Sequence, residues 1–123
     1  MAQPWALAIG SLAGGFARYY LGGFVQRSLG SGFPYGTLAV NLTGCFLIGV
    51  FSSLPEQKFF MNPETRLLLT VGFCGAFTTF STWMLETSNL MKNGDGLHAL
   101  WNILASVVFG FVLFKLGAVF GKF

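Results

Sequence analysis

Four long apolar stretches, separated by short polar connections, constrain the fold of this chain more than any other feature. A helix needs roughly 20 apolar residues to cross about 30 Å of hydrocarbon. Four segments approach that length: 5–24, 35–54, 67–86 and 97–120. Of the 123 residues, 54% are hydrophobic and only 9% are charged, which is typical of an integral membrane protein. We therefore predict a single all-α membrane domain over residues 1–123, with four transmembrane helices in a lipid bilayer.

The connections between these segments are short, so consecutive helices are predicted to be antiparallel neighbours. The N-terminus lacks the basic start of a cleaved signal peptide, and we expect it to be retained. Cys45 and Cys74 fall inside spans at a spacing that matches no metal motif, and are interpreted as small apolar filler. No cluster of nucleophile, base and orienting group is visible. Neither an enzyme nor a nucleic-acid-binding protein is expected.

The basic residues are balanced between the two sides of the predicted membrane domain. Four lie toward the side of the termini and three toward the other side, the two groups being Lys58, Arg66, Lys115 and Lys122, and Arg18, Arg27 and Lys92. A protein with one orientation usually carries a Lys/Arg excess on its cytoplasmic loops. Either the count is noisy because the charges are few, or the chain inserts both ways. In the second case, an antiparallel dual-topology homodimer is predicted.

The third span contains the stretch GFCGAFTTFSTW at 72–83, which is unusual for a membrane helix. Each glycine weakens a helix by about 1 kcal/mol relative to alanine, and we predict that the helix is broken mid-membrane at GAFTT. Non-helical backbone survives at that depth only inside protein or along a cavity. The carbonyls of Gly75 and Thr78 would then suit a hard cation such as Na⁺. The alternative is that small residues merely let helices pack closely.

Neutral hydrogen-bond donors recur on the other spans. Asn41 in span two must face a partner or a wet path, because an unpaired amide in hydrocarbon costs several kcal/mol. Thr37 lies one turn earlier, and Asn102 and Ser106 share one face of span four. A row of neutral donors suits a small anion that exchanges its hydration for hydrogen bonds.

Aromatic and charged residues complete this pattern. The ring edges of Phe80 and Trp83 carry the positive side of the quadrupole and can face an anion. Arg18 either extends to the membrane interface or supplies a positive vestibule. Glu86, at the end of span three, is the one acidic residue that approaches a span interior. Gly10 and Gly14 form a small-xxx-small pair that predicts close helix packing.

Three stretches, GGFARYYLG, FPYGTLAVNLTGCFLIG and GFCGAFTTFSTWMLE, closely resemble in this order the CrcB/Fluc family of fluoride channels. The resemblance covers essentially the whole chain. It implies a dual-topology homodimer with two antiparallel fluoride pores and a buried, structural Na⁺ that is not transported. It also implies passive export of fluoride across the cell membrane, which lowers fluoride toxicity.

The resemblance assigns roles to individual residues. Gly75 and Thr78 correspond to the carbonyl ligands of Na⁺, Phe80 to a pore phenylalanine and Asn41 to the pore asparagine. The residues that correspond to the polar track and the vestibule are Thr79, Ser81, Thr82, Ser106, Arg18 and Glu86. The chain departs from the family pattern at three positions. Trp83 stands where a second phenylalanine is common, Gly110 where a serine is frequent, and Asn102 where tyrosine occurs.

Two other protein classes remain as alternatives. A four-helix, proton-coupled multidrug exporter needs a membrane carboxylate, typically in the first helix, where this chain has Arg18 and no acid. A structural or holin-like bundle needs no row of donors. It predicts that Asn41→Ala and Phe80→Ala leave function intact.

Overall fold

The computed structural model describes residues 3–55 and 62–123, and within them all regular structure is helical. In chain order the elements are α1 (Gln3–Leu29), α2 (Tyr35–Ser53), α3 (Pro63–Leu67), a π-helical segment π1 (Leu68–Cys74), α4 (Gly75–Phe77), α5 (Phe80–Lys92) and α6 (Gly96–Gly121). When α3 to α5 are counted as one segmented helix, four helices result, and the all-helical prediction is confirmed for these residues. Part of the predicted connection 55–65, including Lys58, lies outside the described residues.

Three of the four helices are long and apolar enough to cross a membrane, namely Tyr35–Ser53, the segmented helix Pro63–Lys92 and Gly96–Gly121. α1 covers the predicted first span, and its 27 residues correspond to about 40 Å of helix. It is not among the three, and it carries Arg18 and Gln26 within its length. The transmembrane placement of α1 therefore stays a prediction.

Local sequence signals explain where several helices begin and end. α1 ends at Leu29 because Gly30 adopts a φ of 102°, and its N–H donates to the Gln26 carbonyl at 3.0 Å. α3 begins with Pro63 at its first position, and the Asn62 side chain accepts from the Thr65 N–H at 2.8 Å. At the end of α2, the Arg66 guanidinium donates to the carbonyls of Phe51, Ser52 and Leu54. These bonds occupy carbonyls that a helix end leaves without partners.

Close backbone contact between helices depends on glycine. α2 and α6 meet where a β-carbon at Gly117 would overlap the Phe46 carbonyl oxygen. α1 lies against π1 in the same way, since a β-carbon at Gly10 or Gly14 would overlap a backbone carbonyl oxygen of π1. Gly10 and Gly14 thus provide the helix packing that their spacing predicts.

Candidate functional site

The centre of the candidate site is a two-residue extended segment between α4 and α5. Thr78 has φ −89° and ψ 160°, and Thr79 has φ −148° and ψ 120°, both far from helical values. Thr79 is the N-cap of α5, because its Oγ1 accepts from the Thr82 N–H at 3.2 Å. The Thr78 hydroxyl donates to the Cys74 carbonyl at 3.0 Å. The hydroxyls of GAFTT therefore end one helix and begin the next.

Asn41 of α2 holds this extended segment through both polar atoms of its amide. Its Nδ2 donates to the Thr79 carbonyl at 3.1 Å, and its Oδ1 accepts from the Thr79 N–H at 2.8 Å. In a continuous helix, the Thr79 N–H would instead donate to the Gly75 carbonyl four residues earlier. The Gly75 carbonyl therefore lacks its usual helical donor, because the Thr79 N–H is bonded to Asn41.

The Thr78 carbonyl loses its usual partner for a related reason. The Thr82 N–H, four residues later, donates to the Thr79 hydroxyl. Between these two carbonyls, the oxygen of Ala76 accepts from Arg18 Nε at 3.2 Å. The N–H groups of Thr79 and Thr82, the usual helical partners of the Gly75 and Thr78 carbonyls, are therefore bonded elsewhere. Within residues 3–55 and 62–123, no group of three or more His, Cys, Asp or Glu side chains is placed to hold a metal ion.

A cleft of about 530 Å³, the larger cleft, lies between α2, the extended segment and α6. Of the predicted site residues, it is lined by Asn41, Gly75, Thr78, Thr79, Phe80, Trp83 and Ser106. The described residues that line it include no charged side chain. Phe80 is 69% exposed and its ring meets that of Trp83 edge to face, with the centroids 5.5 Å apart. The buried Ser106 hydroxyl has no hydrogen-bond partner among the described residues.

A second cleft of about 240 Å³, the smaller cleft, carries charged groups of both signs. It is lined by Arg18 of α1, Thr37 of α2 and Glu86 of α5, among others. The Thr37 hydroxyl donates to Glu86 Oε2 at 3.0 Å, and buried Glu86 Oε1 has no partner among the described residues. Thr79 lines both clefts, so both adjoin the residue to which Asn41 is bonded. The arrangement places a cleft with charged walls next to one whose described lining is uncharged.

Three predicted site residues line neither cleft. Ser81 is exposed, and Thr82 contributes its N–H to the cap of α5. Asn102 is only 1% exposed, and its amide Nδ2 donates to the hydroxyl of Thr87 at 2.9 Å. Sequence reasoning missed Thr87, although its position one turn after Trp83 puts both on one face of a helix. It interpreted Cys45 and Cys74 as small apolar filler, and both line the larger cleft.

Comparison with known proteins gives concordant matches. Residues 5–118 match the model of a family described as CrcB-like protein, Camphor Resistance (CrcB). The chain is 45% identical, over 92% of its length and 88% of the relative's, to a fluoride-specific ion channel FluC of Methylocella silvestris. It is 40% identical to a fluoride-specific ion channel FluC of Maridesulfovibrio salexigens, with 94% of this chain and 92% of the relative covered. A protein of the same name from Rhizobium johnstonii is 47% identical over 87% of this chain and 86% of the relative.

Proposed function

The chain belongs to the CrcB family, and from that membership we propose that it is a fluoride channel that exports fluoride passively and lowers its toxicity. It is a multi-pass protein of the cell membrane and an ion channel, not an enzyme. The proposal extends to the path of the ion, the cation that stabilises the site and the arrangement of two copies.

The position of Thr79 in the walls of both clefts is the observation that carries the proposed ion path. A small anion gives up its water only where hydrogen-bond donors replace it. The Asn41 amide uses one N–H on the Thr79 carbonyl and has a second N–H left for an ion. We place the path from the smaller cleft, past Asn41 and Thr79, into the larger cleft. There the Ser106 hydroxyl, which has no partner among the described residues, and the edges of Phe80 and Trp83 face the ion.

A structural Na⁺ is proposed at the carbonyls of Gly75 and Thr78. The fit rests on the capping geometry, because Asn41 and Thr79 take the N–H groups that would otherwise occupy those two carbonyls. A bound Na⁺ would supply positive charge that compensates these carbonyl dipoles. Two carbonyls from each of two copies would make a site of four oxygen atoms. The ion is proposed to remain bound and not to be transported.

We further propose an antiparallel homodimer with the extended segment at mid-membrane. Gly75 and Phe80 are exposed in one copy, although both line the larger cleft, so a second copy could complete its open side. The balanced basic residues fit insertion in both orientations. α1 is proposed as the fourth span. The bond from Arg18 to the Ala76 carbonyl lowers the cost of placing an arginine there, because a charge in a membrane needs such a partner.

The direction of transport follows from acid–base chemistry. Hydrogen fluoride crosses membranes as a neutral molecule and dissociates in a less acidic cytoplasm. A passive fluoride pathway then expels the anion, because the cell interior is electrically negative. No nucleotide-binding signature is visible in the sequence, which fits passive flow.

Fluoride efflux from liposomes that contain the purified protein tests the proposed function. A fluoride electrode should record rapid loss of fluoride, and a chloride electrode little loss of chloride. Phe80→Ile should abolish the flux, because it removes a ring from the larger cleft. Phe109→Ile is the matched control, since Phe109 is exposed on α6 and lines neither cleft. A folded protein without fluoride flux, or one that releases both anions equally, would refute the proposal.

A further inference from the structure

Three hydrogen bonds form a closed ring between α5 and α6. The Trp83 indole Nε1 donates to the backbone carbonyl of Asn102 at 3.2 Å. The Asn102 side-chain Nδ2 donates to the Thr87 hydroxyl at 2.9 Å. The Thr87 hydroxyl in turn donates to the Trp83 carbonyl at 2.8 Å. The ring thus starts and ends at Trp83, a residue whose indole lines the larger cleft.

The burial of this ring indicates that its geometry is fixed. Thr87 is 5% exposed and Asn102 is 1% exposed. Buried polar groups are costly unless they are hydrogen-bonded, so Asn102 Nδ2 and the Thr87 hydroxyl depend on each other. The buried Asn102 Oδ1 has no partner among the described residues. The Thr87 hydroxyl has one proton, which it gives to the Trp83 carbonyl, and its lone pairs accept from Asn102. The bond between the two side chains thereby helps to hold the backbone carbonyl of Asn102 opposite the indole N–H.

This geometry controls what Trp83 presents to the larger cleft. An indole nitrogen is only a donor, and here its single proton is given to the Asn102 carbonyl. The ring therefore contributes carbon edges, and no N–H group, to the cleft wall. The edge-to-face contact with Phe80, at 5.5 Å between centroids, transmits the position of the indole to the second aromatic ring of the cleft.

We propose that Thr87 and Asn102 are positioning residues that turn the Trp83 N–H away from the ion and thereby set the rate of ion passage. The inference rests on the proposed function, since it assumes that the larger cleft carries fluoride. A free indole N–H beside the path would bind fluoride that has given up part of its water and delay its release. The two side chains prevent this without touching the ion.

The test uses a protein in which Trp83 is the single tryptophan. Trp5→Phe and Trp101→Phe provide it, since both of these side chains are exposed. Hydrogen exchange of the indole N–H, followed by NMR in detergent micelles, reports the bond to Asn102 directly. Fluoride efflux from liposomes reports the rate of ion passage for the same protein.

Thr87→Val and Asn102→Leu keep the side-chain shapes but break the ring. In both variants, indole exchange should accelerate roughly fivefold, the equilibrium factor that corresponds to one net hydrogen bond, and fluoride efflux should slow by a similar factor. Thr87→Ser keeps the hydroxyl, so both the exchange rate and the efflux rate should stay close to those of the parent protein. Ser88→Ala, at an exposed position on the same helix, should change neither.

Unchanged indole exchange in both folded variants would overturn the proposed positioning. Accelerated exchange with unchanged fluoride efflux would overturn the role in ion passage. A parent protein that passes no fluoride, yet shows the accelerated exchange in its variants, would refute the proposed function while supporting the hydrogen-bonded ring itself. The exchange measurement needs no transport and therefore separates the two failures.

Discussion

The side-chain amide of Asn41 forms a reciprocal pair of hydrogen bonds with the backbone of Thr79. The two bonds measure 3.1 Å and 2.8 Å and join α2 to the extended segment, 38 residues further along the chain. An asparagine amide can match a peptide group in this way because it carries both a donor and an acceptor. The pair therefore takes the place of a helical bond and keeps Thr78 and Thr79 extended.

Asn41→Leu is expected to remove both bonds while keeping the side-chain volume. The Thr79 backbone groups would lose their partners at a cost of about 1–3 kcal/mol each, and the segment would tend to return to helix. We expect a lower thermal midpoint in detergent and loss of fluoride efflux from liposomes. Asn89→Leu, at an exposed position on α5, is the matched control. Unchanged stability in Asn41→Leu would contradict the role assigned to the pair.

Gly117→Ala is expected to disrupt the contact between α2 and α6. The added methyl group would overlap the Phe46 carbonyl oxygen, and backbone cannot move aside as a side-chain end can. Overpacking of this kind costs about 1–3 kcal/mol, so the thermal midpoint should fall. Gly15→Ala is the control, because no atom of the described residues that could obstruct the added carbon lies within 4 Å of it. If both variants had the same thermal midpoint, the backbone contact at Gly117 would not limit stability.

Hydropathy and spacing predicted much of this fold. The apolar stretches anticipated the helices α2 and α6 within a few residues, and Gly10 and Gly14 anticipated the packing of α1 on π1. Such features repeat along the chain, so a single sequence displays them. A helix break at GAFTT was predicted because glycine and β-branched residues weaken a helix locally, and its placement at mid-membrane stays a prediction.

Contacts between distant residues could not be predicted in the same way. The pairing of Asn41 with Thr79 depends on how α2 faces the extended segment, which no local pattern specifies. Asn102 shows the same limit. Its spacing from Ser106 placed both on one face, yet Asn102 is buried against Thr87 while Ser106 lines the larger cleft. The two residues lie about 6 Å apart along the axis of α6, so they meet different neighbours, which the sequence of α6 alone does not specify.

Removal of Na⁺ is expected to destabilise the folded protein. A ligand that binds only the native state stabilises it in proportion to the logarithm of its concentration, by about 2.7 kcal/mol at 100 times Kd. The thermal midpoint in detergent should therefore rise with Na⁺ at constant ionic strength, with N-methylglucamine as the replacing cation. Asn41→Leu should respond less, because the Thr79 N–H could again occupy the Gly75 carbonyl. An equal midpoint in both salts would argue against a structural Na⁺.

Insertion in both orientations is the last prediction, and it follows from the balance of basic residues. Lys92→Cys and Lys122→Cys place single thiols on opposite sides of the proposed membrane domain, in a chain where Cys45 and Cys74 are replaced by alanine. An impermeant maleimide added outside intact cells should label about half of each population, because half of the copies would face each way. Adding Ser28→Arg and Asn93→Lys, both exposed on the Lys92 side, should shift the labelling toward the Lys122→Cys chain. If, without the added charges, only one of the two single-thiol chains were labelled, dual topology would be excluded.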